Sequence, residues 1–343
     1  MYFLLIGLYV VILLLSYIIY KDNCRYLNKR SFQIIIGLVR CFALVILFLR
    51  FFYYHFWSDT IAGNLLLYVA SFYLFHFVLS FLFFLSRKIF KKQKRIHGIE
   101  SMLILLMISL VLCMFSFDKA VRIVDKDYYI YNEKSVTAEI LLVSDLHLGN
   151  SLSGKRIDEL VDRFTESDVD LILIAGDLYD EATGKKDFER FLNNMKRVDC
   201  PTYYIRGNHE SYSKYDKFFS AMMKQSGMIC LNDGDQKYNH IVLTSTETQQ
   251  TSSYSNHDFL INVTHYPVYE NRNDIDLQVS GHTHNGQIIP GNLIFKLLYS
   301  NLYGYYDENY PLVVTSGCGT NIVPMRLGSD SEIVHLHILQ KSK

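Results

Sequence analysis

Four strongly apolar runs, at 2–20, 32–56, 61–86 and 102–117, occupy the first third of the chain. A helix needs about 20 apolar residues to cross a bilayer, so the first three are long enough to span and the fourth is marginal. The first run has neither the basic start nor the small-residue cleavage site of a signal peptide, so it is not expected to be removed. From residue 139 the pattern changes to short β-branched runs alternating with amphipathic stretches. Positions 140–143, Leu171–Ala175 and Thr202–Ile205 read as buried strands. Between them Ile157, Leu160, Val161 and Phe164 recur at helical spacing, as do Phe188, Phe191 and Leu192. Further strands are expected at 241–244, 260–263, 277–279, 312–315 and 333–338. Strands alternating with helices predict an α/β class.

Composition sharpens the division. The chain is 50% hydrophobic and 15% aromatic, more apolar than one soluble globule. Its zero net charge conceals two opposed parts, since residues 1–117 hold 12 Lys and Arg against 3 Asp and Glu, and residues 118–343 hold 22 against 31. An acidic second part argues against a general affinity for nucleic acid. In the first part the bases gather at Lys21, Arg25, Lys29 and Arg30, and again at Arg87, Lys88, Lys91, Lys92, Lys94 and Arg95. The excess of basic residues in cytoplasmic loops turns both clusters inward, and four spans then leave everything after the last one outside. The expected organisation is a four-helix transmembrane anchor at 1–117, a juxtamembrane linker at 118–137 and an extracytoplasmic domain at 138–343. The protein is accordingly expected in the cell membrane as a multi-pass protein. Arg40 interrupts the second run and is expected to face the bundle interior or a lipid phosphate. Six cysteines, Cys24, Cys41, Cys113, Cys200, Cys230 and Cys318, form no close pair and suggest neither a zinc knuckle nor a disulfide framework.

Five expected strand ends carry polar clusters. They are Ser144-Asp145-Leu146-His147, Gly176-Asp177-Leu178-Tyr179-Asp180, Gly207-Asn208-His209-Glu210, Thr264-His265-Tyr266-Pro267 and Gly281-His282-Thr283-His284. Strand C-termini are where α/β sheets gather their active sites. A mixture of carboxylate, amide oxygen and imidazole suits manganese, iron, zinc or cobalt better than magnesium or calcium. Two such cations about 3.5–4 Å apart can hold a hydroxide and grip a phosphoryl group. The glycine before Asp177 would let the chain turn sharply enough to aim a carboxylate at both. His240, His257, His335 and His337 belong to no such cluster and read as surface or strand residues.

Taken together, the ordered series DxH, GDxxD, GNHE, His and GHTH resembles the calcineurin-like metallophosphoesterase superfamily over about residues 137–340. The segment 281–290 followed by 316–326 and Ser331-Glu332-Ile333 is similar to the bacterial phosphodiesterase branch typified by YkuE and YaeI, with Asn285 where that branch usually has glycine. The resemblance implies a four-layer α/β/β/α sandwich. It further implies two divalent transition-metal ions, manganese first, one held by Asp145, His147 and His284 and the other by Asn208, His265 and His282. Asp177 would bridge them, and His209 would serve the leaving oxygen with Asp180 orienting its imidazole. Arg326 is expected to approach the substrate phosphate.

The expected activity is hydrolysis of a phosphodiester or phosphomonoester by a hydroxide held between the metals. The expected partners are the bilayer and a phosphoester of a lipid headgroup or cell-envelope component; soluble nucleotides or cyclic nucleotides are the alternative. A non-catalytic scaffold is disfavoured because every ligand position is filled.

Overall fold

The computed structural model describes residues 98–245 and 255–341, with Phe81, Leu82 and Leu85. The chain divides into two compact units, Met1–Ser116 and Phe117–Lys343. The first three apolar runs and the basic loops that set the expected orientation lie outside the described residues, those three positions apart. The fourth run falls within helix α1 (Gly98–Val121), where Met107, Val111 and Met114 are exposed. Among the described residues no helix is long and apolar enough to cross a membrane.

Two six-stranded sheets form the second unit. The first runs β1 (Ile123–Asn132), β12 (Ser331–Gln340), β2 (Ala138–Val143), β3 (Leu171–Ala175), β4 (Thr202–Ile205), β5 (Ile229–Cys230). The second runs β10 (Gly304–Asp307), β11 (Pro311–Val314), β9 (Leu277–Ser280), β8 (Phe259–Val263), β7 (Ile241–Thr244), β6 (Gln236–Tyr238). Strands β2 to β5 are mutually parallel, as are β7, β8, β9 and β11, while β12 runs antiparallel to β2. Central parallel strands are covered on both faces, which is why β3 and β8 consist wholly of buried residues.

Alternate residues of the same strands feed two cores. Leu142, Leu173, Ala175 and Ile205 meet Leu243, Ile261, Val263 and Val279 between the sheets. Leu141, Val143, Ile172 and Ile174 face the other way, onto α2 (Lys155–Glu166), α3 (Lys185–Met195) and α4 (Asp216–Gln225). The apolar stripes read from the sequence are the ones used: Ile157, Leu160, Val161 and Phe164 of α2 and Phe188, Phe191 and Leu192 of α3 are buried. Each such fully buried side chain contributes about 1.5–3 kcal/mol of transfer free energy.

Two expectations are corrected here. The expected juxtamembrane linker contains β1, whose ten residues pair in parallel with β12 from Ile123 opposite Ser331 to Asn132 opposite Gln340. Asp125, Lys126 and Asp127 hid this strand because it lies at a sheet edge with that stretch in solvent, and only Ile130 and Asn132 are buried. Nor do the described residues supply the expected fourth layer. The outer face of the second sheet carries a small cluster of Val242, Leu260, Ile275 and Tyr310, with Tyr269 against it. The remaining helix, α5 (Gly291–Leu298), buries none of its residues.

Candidate metal centre

All five polar clusters come together at the strand ends. Donor atoms of Asp145, His147 and His284 lie within 4.8 Å of one another, and so do those of Asp177, His265 and His282. In the first group the Nε2 atoms of His147 and His284 stand 3.2 Å apart, and Asp145 Oδ1 is 3.4 Å from His284 Nε2. In the second, His265 Nε2 lies 3.1 Å from Asp177 Oδ2, 3.1 Å from Asn208 Oδ1 and 3.2 Å from His282 Nδ1. Asp177 Oδ2 also approaches His147 Nε2 at 3.8 Å, so one carboxylate oxygen reaches both groups.

The backbone is bent to make this convergence. Asp145, His147, Asp177, His282 and His284 all have positive φ, between 42° and 72°. For non-glycine residues such conformations cost about 1–3 kcal/mol each and cluster where function requires them. Two glycines permit the close approach. A Cβ on Gly176, itself at φ +89°, would meet His265 Nδ1 at 2.5 Å, and one on Gly281 would strike Ser144 Oγ and Asp145 Oδ2. Asn285 sits at φ 50°, ψ 35°, a left-handed conformation that asparagine tolerates better than most residues, so the substitution for glycine keeps the turn.

The donor set fits cations. Asp145 Oδ2 accepts from the His282 amide at 2.9 Å, but its Oδ1 is buried with no hydrogen-bond partner, which is costly for a carboxylate without a positive charge to face. Burial raises the pKa of Asp145 and Asp177, yet the surrounding imidazoles outweigh it and hold both carboxyls below their ordinary range. Burial lowers His282 to about 4, aided by His265, and drives His284 well below the normal imidazole value, which leaves both rings neutral and able to ligate. His265 is opposed by burial but drawn up to about 10 by Asp177. Outer contacts fix the rings: His265 Nδ1 meets the Ala175 carbonyl at 2.9 Å, and His282 Nε2 meets the Tyr299 hydroxyl at 2.9 Å.

His209 stands beside this cluster rather than in it. Its amide donates to Asp177 Oδ1 at 2.9 Å, while its ring packs edge-on against His147 at 5.0 Å. The expected pairing with Asp180 is corrected. Asp180 Oδ2 lies 3.0 Å from His147 Nδ1, and the carboxylate at His209 Nδ1 is Glu181, 3.1 Å away. Asp180 is fully buried and its Oδ1 is taken by the Ala182 and Thr183 amides, so its position is set by its own turn. Burial opposes a charge on His209, but Glu181, Asp177 and Asp180 outweigh it and push the pKa to about 9. On the other side of the ring, Asn321 Nδ2 lies 3.2 Å from Nε2. An amide flip that presents Oδ1 suits the protonated imidazole.

Arg326 is also corrected. Its side chain is completely buried and donates to the carbonyls of His284, Ser316, Gly317 and Gly319. Burial lowers it to about 10, still a cation at neutral pH. It fastens the GHTH turn to the 316–319 loop and has no access to a substrate. Glu181, Tyr299 and Asn321 were not singled out from sequence. Glu181 directly follows Asp180, but Tyr299 and Asn321 lie outside the clusters, and only folding brings them in.

Residues 138–286 match the family described as calcineurin-like phosphoesterase. Among curated proteins, an uncharacterized metallophosphoesterase of Helicobacter pylori (strain ATCC 700392 / 26695) is 30% identical over 227 residues, covering 60% of each chain. A protein of Danio rerio named transmembrane protein with metallophosphoesterase domain is 26% identical over 232 residues, 59% of this chain and 53% of that one. The match thus spans little more than half of each relative's length. A solved structure, TT1561 of Thermus thermophilus, aligns over 54% of this chain and 90% of that one with TM-score 0.36 and 12% identity.

Proposed function

We propose that the protein is a membrane-anchored, dinuclear metal-dependent phosphoesterase. The observation that carries the proposal is the convergence of two donor groups on the oxygens of Asp177, with an orphaned carboxylate oxygen on Asp145. Asp145, His147 and His284 would hold one cation, Asn208, His265 and His282 the other, and Asp177 would serve both. Bound there, two divalent ions, manganese first among the candidates, would supply Lewis acidity toward the phosphoryl oxygens and an activated water at neutral pH. The chain's own residues do the rest. Asp180 holds His147 by its Nδ1 with Nε2 turned into the site, and Tyr299 steadies His282. His209, kept protonated by Glu181, is placed to donate a proton to the oxygen that leaves phosphorus.

Anchoring is supported by the three long apolar runs of the sequence and by relatives named as transmembrane proteins. A substrate at the lipid headgroup or in the cell envelope, either phosphodiester or phosphomonoester, follows from that location. The test is purified full-length protein with manganese, assayed on bis-nitrophenyl phosphate, nitrophenyl phosphate, nucleotides and a lipid extract. Hydrolysis abolished by a chelator is expected, fastest on a lipid-extract component. Preference for nucleotides would move the substrate to the soluble class, and metal-independent or absent hydrolysis would defeat the proposal.

A further inference from the structure

Helix α5, with sequence GNLIFKLL, lies beside the metal centre with its aliphatic side chains turned to solvent. None of its residues is buried, and Leu293, Ile294, Leu297 and Leu298 are 60%, 54%, 86% and 70% exposed. Helices shorter than about 12 residues are marginal in water and depend on a buried apolar face. This one has eight residues, places its aliphatic side chains in solvent and contains no acidic residue. Soluble proteins seldom leave such patches without a partner.

The helix is tied to the site at both ends. Before it, Gly286 lies so close to Asn292 that a Cβ there would clash with the Asn292 backbone. After it, Tyr299 reaches His282 Nε2 at 2.9 Å and stacks on Phe295 of the helix. Tyr266, 48% exposed, lies 4.3 Å from the His282 ring. An apolar helix and an aromatic rim therefore border the second donor group.

We propose that α5 docks into the interfacial layer of a lipid bilayer and thereby holds the metal centre at headgroup level, so that the substrate is a phosphoester presented by the lipid surface. This rests on the membrane-anchored phosphoesterase reading and adds the element that meets the lipid. Two features select a bilayer. The chain preceding the described residues carries three apolar runs long enough to span one. The only charge in α5 is Lys296, whose stem can lie along apolar surface while its ammonium stays among headgroups. A second copy of the chain fits poorly, because eight helical residues extend only about 12 Å, whereas a stable protein interface needs about 20–30 residues a side.

The test uses the full chain, whose single tryptophan is Trp57. Trp57→Phe and Leu297→Trp place one fluorophore on α5, and the protein is reconstituted in phosphatidylcholine and phosphatidylglycerol vesicles with and without brominated phosphatidylcholine. Docking predicts blue-shifted emission quenched by the brominated lipid. Water-like, unquenched emission overturns the proposal, and blue-shifted but unquenched emission overturns it in favour of a protein partner. Because the readout needs no turnover, failure to hydrolyse any ester would defeat the catalytic reading separately. In the native-tryptophan chain, Leu293→Glu with Leu297→Glu should lower hydrolysis of a vesicle-borne phosphoester about tenfold and leave bis-nitrophenyl phosphate turnover unchanged. Equal effects on the two substrates would contradict docking.

Discussion

At His209, burial and three carboxylates pull in opposite directions, and the carboxylates win. The protonated ring suits a general acid, which sets the sign of a pH effect. Activity should fall as pH rises through the pKa of His209, which is about 9 before any bound dication draws it lower. Replacing Glu181 by glutamine removes the charge at Nδ1, so that high-pH limb should move to lower pH, while His209→Ala should cost about 10²–10⁴ in rate with metal content unchanged. An unmoved limb in Glu181→Gln, measured as kcat against pH, would show that Glu181 does not govern the ring. The donors themselves were legible because Asp145, Asp177, Asn208, His265, His282 and His284 each follow a short buried run at a strand end. Which carboxylate meets His209 was not, since Asp180 and Glu181 are neighbours and their directions depend on a turn that the sequence pattern does not specify.

Elements of the sandwich are positioned by contacts that no periodicity announces. The GHTH turn and the 316–319 loop come from different parts of the second sheet's sequence, and the buried guanidinium of Arg326 joins them through four backbone carbonyls. Arg326→Met would leave the Ser316 and Gly319 carbonyls without a donor, at about 1–3 kcal/mol for each that cannot find another, while the His284 and Gly317 carbonyls keep the amides of Gln287 and Glu332. The variant should therefore unfold at lower denaturant concentration and bind less metal, because His284 loses its support. Unchanged stability with a raised KM would instead restore Arg326 to the substrate. A fully buried arginine is rare, so the expected approach of Arg326 to a substrate phosphate gave no sign of this buried position. The strands were easier where both faces are covered: Leu171–Ala175 and Thr202–Ile205 were placed residue for residue because continuous apolar runs leave little choice. Strand β1 was missed for the opposite reason, its charged residues lying in solvent at an edge.

Across the whole molecule, an apolar, basic first part and an acidic second part divide the labour proposed here. The second unit builds a core between its sheets and another beneath its helices, and the strain at five donor residues is borne by that scaffold. On the proposed reading these pre-bent donors receive cations, and the central claim is that two bind together. The most direct measurement is a titration of metal-stripped, full-length protein with manganese, following bound metal and bis-nitrophenyl phosphate hydrolysis in the same samples. The account predicts that activity appears as the second site fills and reaches its plateau at two ions per chain, and that Asp177→Asn, which offers a neutral amide to both sites, loses metal and nearly all activity together. Full activity at one ion per chain, or an Asp177→Asn variant that keeps both metals and turns over at a near-normal rate, would contradict it.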